Sequence, residues 1–135
     1  ALLEAFGIPH LAGRPFATLS EGERKRAQVA RALMPDPEIL LLDEPAAGLD
    51  LGGREEVLFA LTELAGDRRS PTLIFVTHHV EEIPAGFSHV LMLKDGAVHA
   101  SGRIDEVLDQ RTLSEMYGFD VALDNRDGRW SARRA

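Results

Sequence analysis

Residues 39–50, ILLLDEPAAGLD, constrain the fold more than any other stretch of this chain. Four consecutive apolar residues, Ile39 to Leu42, run directly into two adjacent carboxylates, Asp43 and Glu44. Such a run predicts a strand buried on both faces, the kind found in parallel sheets. In open α/β sheets the carboxyl ends of these strands form the edge where ligands bind. Acids at that edge are costly to bury unless something compensates their charge. A hydrated Mg2+ ion meets that need, because it is usually held through one or two carboxylates together with substrate phosphates. The same residues also read as an acidic turn closing an ordinary buried strand, since Asp and Pro are common in turns.

Residues 19–33, LSEGERKRAQVARAL, carry a second feature. Ser20 and Glu23 have the S-x-x-E spacing of a capping box, so a helix is predicted to start at Ser20. Ala27, Ala30, Leu33 and Met34 fall at helical spacing as one apolar stripe, and Arg24, Lys25, Arg26, Gln28 and Arg31 fill the remaining surface. A helix N-terminus exposes free N–H groups and the positive end of its dipole, which suits a phosphate. Gly22 disfavours the first turn but lets a ligand approach the backbone closely. Taken alone, the spacing also describes an ordinary capped surface helix.

The order of features is more specific than any one of them. LSEGE, LLLDEP, AAGLD and then VTHH at residues 76–79 resemble the ATP-binding cassette family of ATPases, in which signature motif, Walker B, D-loop and switch histidine follow in that order. The resemblance runs from about residue 11 to about residue 117. It implies an α/β fold like that of P-loop NTPases, with a mainly parallel sheet flanked by helices and part of a helical subdomain. On that frame residues 1–35 end the helical subdomain with the signature helix. Residues 36–102 carry the core from Walker B to the switch histidine and a hairpin, and residues 103–135 form a C-terminal tail.

Carried over by position, the resemblance implies the following roles. Leu19, Ser20, Glu21, Gly22 and Glu23 match the signature, whose Ser hydroxyl and Gly amides meet the γ-phosphate of ATP bound to the opposite subunit. Asp43 matches the Walker B aspartate that holds Mg2+, usually through water. Glu44 matches the catalytic carboxylate that orients or deprotonates the attacking water. Asp50, after Gly48 and Leu49, matches the D-loop aspartate that crosses the dimer interface. His78 matches the switch histidine at the γ-phosphate. Phosphoryl transfer asks a protein chiefly for positioning and charge stabilisation, and a carboxylate with a nearby imidazole can supply both. His79 reads as a solvated residue at a helix start. His10, His89 and His99 lack ligand-type spacing and read as structural or solvated.

This chain departs from the family pattern in two ways. Glu21 stands where Gly is usual and Glu23 where Gln is usual. Acids at a helix N-terminus are locally stabilising, yet beside a polyphosphate they repel unless they point away, as Glu23 would by reaching back to the cap. The second departure is that no G-x-x-x-x-G-K-[ST] loop occurs. The only lysines, Lys25 and Lys94, follow Arg24 and Leu93. That loop cradles the β- and γ-phosphates, so the reading expects a C-terminal part of a longer ATPase, without the Walker A half. The isolated piece is then expected to bind ATP poorly. Strands 72–77 and 88–94 would lack their shared neighbour, leaving edges that invite association.

Composition agrees with this reading. The 135 residues fit one domain. With no cysteine there is no disulfide framework and no Cys-based zinc site. The net charge of −7, from 22 acids and 15 bases, argues against broad nucleic-acid binding. No apolar run approaches the length of a membrane span. The family implies a cytoplasmic protein, peripheral at the inner face of the cell membrane. Its partners would be a second nucleotide-binding subunit and a membrane-spanning transporter subunit, with ATP and Mg2+ as cofactors and no nucleic acid. RIDEVLDQRTLSEMYG resembles the tail of importer ATPases, including those for metal chelates. Other readings are a family member acting on DNA or ribosomes, and a partner that donates only its signature half.

Further elements follow from local signals. Residues 1–6 end a helix stopped by Gly7 and Pro9. Arg54 to Leu64 is an amphipathic helix whose stripe (Val57, Leu58, Leu61, Leu64) is core, with Asp50 as its cap. A short helix begins over 78–83, broken by Pro84 and Gly86. Residues 88–94 and 97–101 form a hairpin about Asp95-Gly96. Residues 105–108 and 112–117 are helical, and a last hairpin turns at Asp127-Gly128, with Val121, Leu123 and Trp130 on one side.

Overall fold

The helix expected at Ser20 forms because its first-turn donors find acceptors in the sequence itself. In this computed structural model, which describes all residues 1–135, α2 (Glu21–Leu33) has Ser20 as its N-cap. Ser20 Oγ accepts from the Glu23 N–H at 3.2 Å, and Glu23 Oε2 accepts from the Ser20 N–H at 2.8 Å. α1 (Leu2–Ala5) and two 3₁₀ turns, Pro9–Leu11 and Phe16–Thr18, precede it.

The inner face of α2 differs from the expected stripe. Gly22, Val29 and Ala30 are buried, Ala27 and Leu33 are half-buried, and Met34 is exposed. Met34 caps the helix end rather than continuing it, so it projects past the core. The central position of the buried face is Arg26, a residue that hides the periodicity. Its guanidinium donates to Phe6 O at 3.2 Å and pairs with Glu56 at 2.6 Å, tying α2 to the end of α1 and to α3 (Leu51–Gly66).

β1 (Ile39–Asp43) and β2 (Thr72–Val76) pair in parallel, from Ile39 opposite Thr72 to Asp43 opposite Val76. α3 is the crossover between them, capped by Asp50. The expectation of a strand buried on both faces is corrected here. Leu40 and Leu42 are buried, whereas Ile39 and Leu41 are 60% and 62% exposed. One face of the pair meets the helices and the other faces outward, where Ile74 and Val76 extend the exposed apolar strip. β2 has β1 as its one strand partner. The core of this part joins Phe6, Ile8, Leu11, Leu19, Val29, Leu40, Leu42, Val57 and Leu61.

The short helix expected over 78–83 is a single 3₁₀ turn, Val80–Glu82. Pro84 drives the residue before it to extended backbone, and Ile83 lies at φ −71°, ψ 114°.

The chain divides into two compact units, Ala1–Pro84 and Ala85–Ala135. In the second, β3 (His89–Lys94) and β4 (Ala97–Arg103) form an antiparallel hairpin. Asp95 and Gly96 both have positive φ, 51° and 75°, as a type I′ turn requires. α4 (Ile104–Val107) and α5 (Gln110–Tyr117) follow, the latter capped by Asp109, which accepts from the Thr112 N–H at 2.7 Å. β5 (Val121–Arg126) and β6 (Arg129–Arg134) turn at Asp127-Gly128. Leu123 faces Ala132 and Asn125 faces Trp130, so Val121, Leu123 and Trp130 share one side of the hairpin. Met92, Leu108, Leu113 and Val121 are this unit's buried apolar residues. No helix in the chain is long and apolar enough to cross a membrane.

Candidate functional site

The parallel register sets the carboxyl ends of β1 and β2 side by side, and the chemistry-bearing residues gather there. Glu44, the first residue past β1, donates its N–H to Val76 O at 2.9 Å. Its φ of 47° lies in the left-handed region, which non-glycine residues adopt rarely and at some cost. Its carbonyl holds it there, accepting from the Ala47 N–H at 3.1 Å and from Lys25 Nζ of α2 at 3.5 Å. This twist directs the half-buried carboxylate across the strand ends, where Glu44 Oε1 lies 2.8 Å from His78 Nε2. A carboxylate only accepts, so Nε2 carries the proton in this contact. His79, also exposed, lies edge-on to His78 with ring centroids 5.6 Å apart. Its backbone N–H donates to Thr77 Oγ1 at 3.0 Å.

Asp43 ends β1 with its carboxylate exposed and without a hydrogen-bond or salt-bridge partner. It lines a small cavity of about 160 Å³ with Lys25, Gln28, Val29 and Pro45. An unengaged hard oxygen donor beside a second carboxylate fits Mg2+, which keeps several waters and takes other oxygens from phosphates. No three His, Asp or Glu side chains converge as a dedicated all-protein metal site would require. His89 Nδ1 contacts Ser88 Oγ at 2.8 Å, and His99 Nε2 contacts Thr112 O at 3.2 Å.

Residues 19–23 and Asp50 form a separate group at two helix starts. Glu23 turns back onto its own cap, and the hydrogen bond from the Ser20 backbone holds its carboxyl below the usual value of 4.5. Glu21 is exposed, and the Glu21 and Gly22 N–H groups are first-turn donors that the capping box leaves unserved. Asp50, expected to reach across an interface, caps α3 by accepting from the Gly53 N–H at 2.8 Å. Gly22 and Gly53 meet backbone to backbone, and a Cβ on Gly22 would lie 3.2 Å from Gly53 Cα. A Cβ there would be tighter than most side chains meet, so this approach of two helix starts favours glycine at position 22. A larger concavity, about 600 Å³, is lined by residues of α1 and the end of α2 and by none of the residues above.

Three participants escape the sequence reading: Thr77, Glu82 and Lys25. Lys25 sits on a helix face crowded with basic residues and nothing marks it out. Glu82 is buried although its neighbour Glu81 is an acid too, and no periodicity predicts that.

The family model described as ABC transporter matches residues 1–47. The chain is 47% identical over 127 residues to the uncharacterized ABC transporter ATP-binding protein YlmA of Bacillus subtilis, covering 93% of this chain and 48% of YlmA. It is 44% identical over 121 residues to the nickel import ATP-binding protein NikO of Rhodobacter capsulatus, covering 85% of this chain and 47% of NikO. Among solved structures, an ABC transporter assigned to the metal-chelate type, in an inward-facing conformation, superposes with a TM-score of 0.80 at 25% identity. That match covers 99% of this chain and 53% of the solved chain. The chain thus spans about half the length of the curated relatives it matches. From these matches and its α/β fold, the chain belongs to the ATP-binding cassette family of transporter ATPases.

Proposed function

We propose that this chain supplies the hydrolytic acid, the switch histidine and the signature motif of an ATPase that energises a membrane transporter. The observation carrying this reading is the 2.8 Å contact between Glu44 and His78 at the mouth of a parallel strand pair. Each residue's part follows from its chemistry. Glu44 accepts the proton of the water that attacks the γ-phosphate. His78 exchanges its Nε2 contact with Glu44 for one to a γ-phosphate oxygen, where the proton steadies the charge that develops. Asp43 and water would hold Mg2+, which neutralises phosphate charge and orients the leaving group.

Ser20 and the free amides of Glu21 and Gly22 suit the triphosphate of a second subunit, because first-turn donors and the helix dipole both favour an anion. Glu23 is consistent with that role, since its charge is spent on its own helix cap. Asp50 would then leave its cap for the partner, or face the partner from it. The domain limits suggested by sequence, 1–35, 36–102 and 103–135, describe this division of labour between the signature helix, the hydrolytic core and the tail. The phosphate-cradling loop would come from sequence outside these 135 residues. Cytoplasmic placement against a membrane subunit, and import as the direction, follow the names of relatives such as NikO.

The test is Glu44→Gln in the full-length protein. ATP turnover should fall about 10²- to 10⁴-fold, the range for losing a positioned base, while ATP still drives dimer formation in sedimentation. Unchanged turnover would leave the chain as a signature donor only.

A further inference from the structure

We propose that Thr77 and Glu82 act as a positioning pair for His78, the buried Glu82 carboxylate holding the Thr77 hydroxyl so that the turn between them keeps the imidazole against Glu44. The inference rests on the reading of Glu44 and His78 as the hydrolytic pair.

His78 lies beyond β2 and before the Val80–Glu82 turn, outside any regular element. Its side chain is 67% exposed and contacts Glu44. Hydrogen bonds at both ends of the turn fix its backbone. Thr77 Oγ1 accepts from the His79 N–H at 3.0 Å and donates to Glu82 Oε2. The Glu82 N–H in turn donates to His79 O at 3.0 Å, and Ile83 N–H to Val80 O at 3.2 Å. One hydroxyl therefore joins the residue before His78, the residue after it, and the far end of the turn.

Glu82 is the one charged residue buried in this chain, and its Oε2 accepts from the Thr77 hydroxyl. Burying a carboxylate carries a desolvation cost that a single hydroxyl offsets only in part. An apolar side chain of similar volume would fill the space without that cost. What the acid adds is direction: it fixes the rotamer of Thr77, and through Thr77 Oγ1 the peptide that follows His78.

The experiment uses the full-length ATPase, with kcat and KM for ATP normalised to folded protein and the thermal midpoint recorded for each variant. Thr77→Val keeps the shape and removes the hydroxyl; Thr77→Ser keeps the hydroxyl; Glu82→Ala removes the acceptor. Thr77→Val and Glu82→Ala should lower kcat about tenfold to hundredfold, as misplacing a reacting group does, with KM unchanged. Thr77→Ser should restore most of the rate. In a His78→Ala background, Thr77→Val should add nothing further, because both changes remove the same interaction. Should Glu82→Ala fail to fold, the Thr77 variants decide alone. If Thr77→Val shifts only the thermal midpoint, or lowers kcat equally without His78, the positioning role is wrong. If His78→Ala and Glu44→Gln themselves leave turnover intact, the hydrolytic reading falls first and takes this inference with it.

Discussion

Glu44 pays for its orientation with a left-handed backbone, φ 47°. A Cβ in that region costs roughly 1–2 kcal/mol, and glycine avoids it. Glu44→Gly and Glu44→Ala both lose the carboxylate, so comparing them isolates the backbone. Glu44→Gly should unfold in urea about 1 kcal/mol later than Glu44→Ala; equal stabilities would mean that the turn relaxes when the side chain goes. Glu23 gives a prediction of a different kind. Its folded-state carboxyl titrates below 4.5 because the Ser20 backbone donates to it. A lowered folded value means that its contribution is present above the unfolded value and is lost as pH falls through the folded one. The Ser20 amide should therefore exchange faster as pH drops below about 4.5, beyond the intrinsic pH trend, and Glu23→Gln should remove the pH-dependent part. At this scale the meeting of Glu44 and His78 at the strand ends was legible, because an apolar run ending in acids and a histidine after a strand are local patterns. Thr77 and Glu82 were not, since what pairs them is a turn whose shape depends on Pro84 and on burial.

Capping and turn chemistry made most elements readable. Ser20, Asp50 and Asp109 each begin a helix by accepting from a first-turn N–H, and both Asp-Gly pairs close hairpins. The inner face of α2 escaped because a salt-bridged arginine, Arg26, occupies its middle. The contact between α2 and α3 at Gly22 and Gly53 was equally invisible, since neither glycine announces its neighbour. Adding a methyl to Gly22 brings it 3.2 Å from Gly53 Cα, and backbone cannot swing aside as a side chain can. Helix propensity alone would favour alanine by about 1 kcal/mol, so the sign is diagnostic. Gly22→Ala should lower stability by a net ~1–2 kcal/mol through overpacking, read as an earlier urea midpoint with an unchanged slope. A later midpoint would mean that the two helix starts part freely.

For the whole molecule, the informative surface is the outward face of the β1–β2 pair. Ile39, Leu41, Ile74 and Val76 stand exposed together, and β2 has an unpaired edge. The sequence reading expected free edges but assigned the strand two covered faces, because a run of four apolar residues says nothing about how many layers are present to cover it. Exposed apolar strips beside open edges favour association. The 135-residue chain alone should sediment as larger species at rising concentration, and Leu41→Lys with Ile74→Lys should return it to monomer. A wild-type chain that stays monomeric throughout would show that the strip is tolerated in water. The same chain should bind ATP weakly by calorimetry, and tight binding would mean that the phosphates are gripped without a Gly-Lys loop.

The abutting glycines also set a rule for how such a chain can drift. Most crowded pairs can exchange bulk, one residue shrinking as the other grows, and a population can cross that path in two steps. Gly22 faces backbone that has nothing left to give up, so a saturation library should find Gly22 intolerant and no change at Gly53 that rescues it. A Cβ on Gly53, by contrast, would meet Gly22 Cα at 3.7 Å and crowd the Asp50 carboxylate instead, at 3.2 Å.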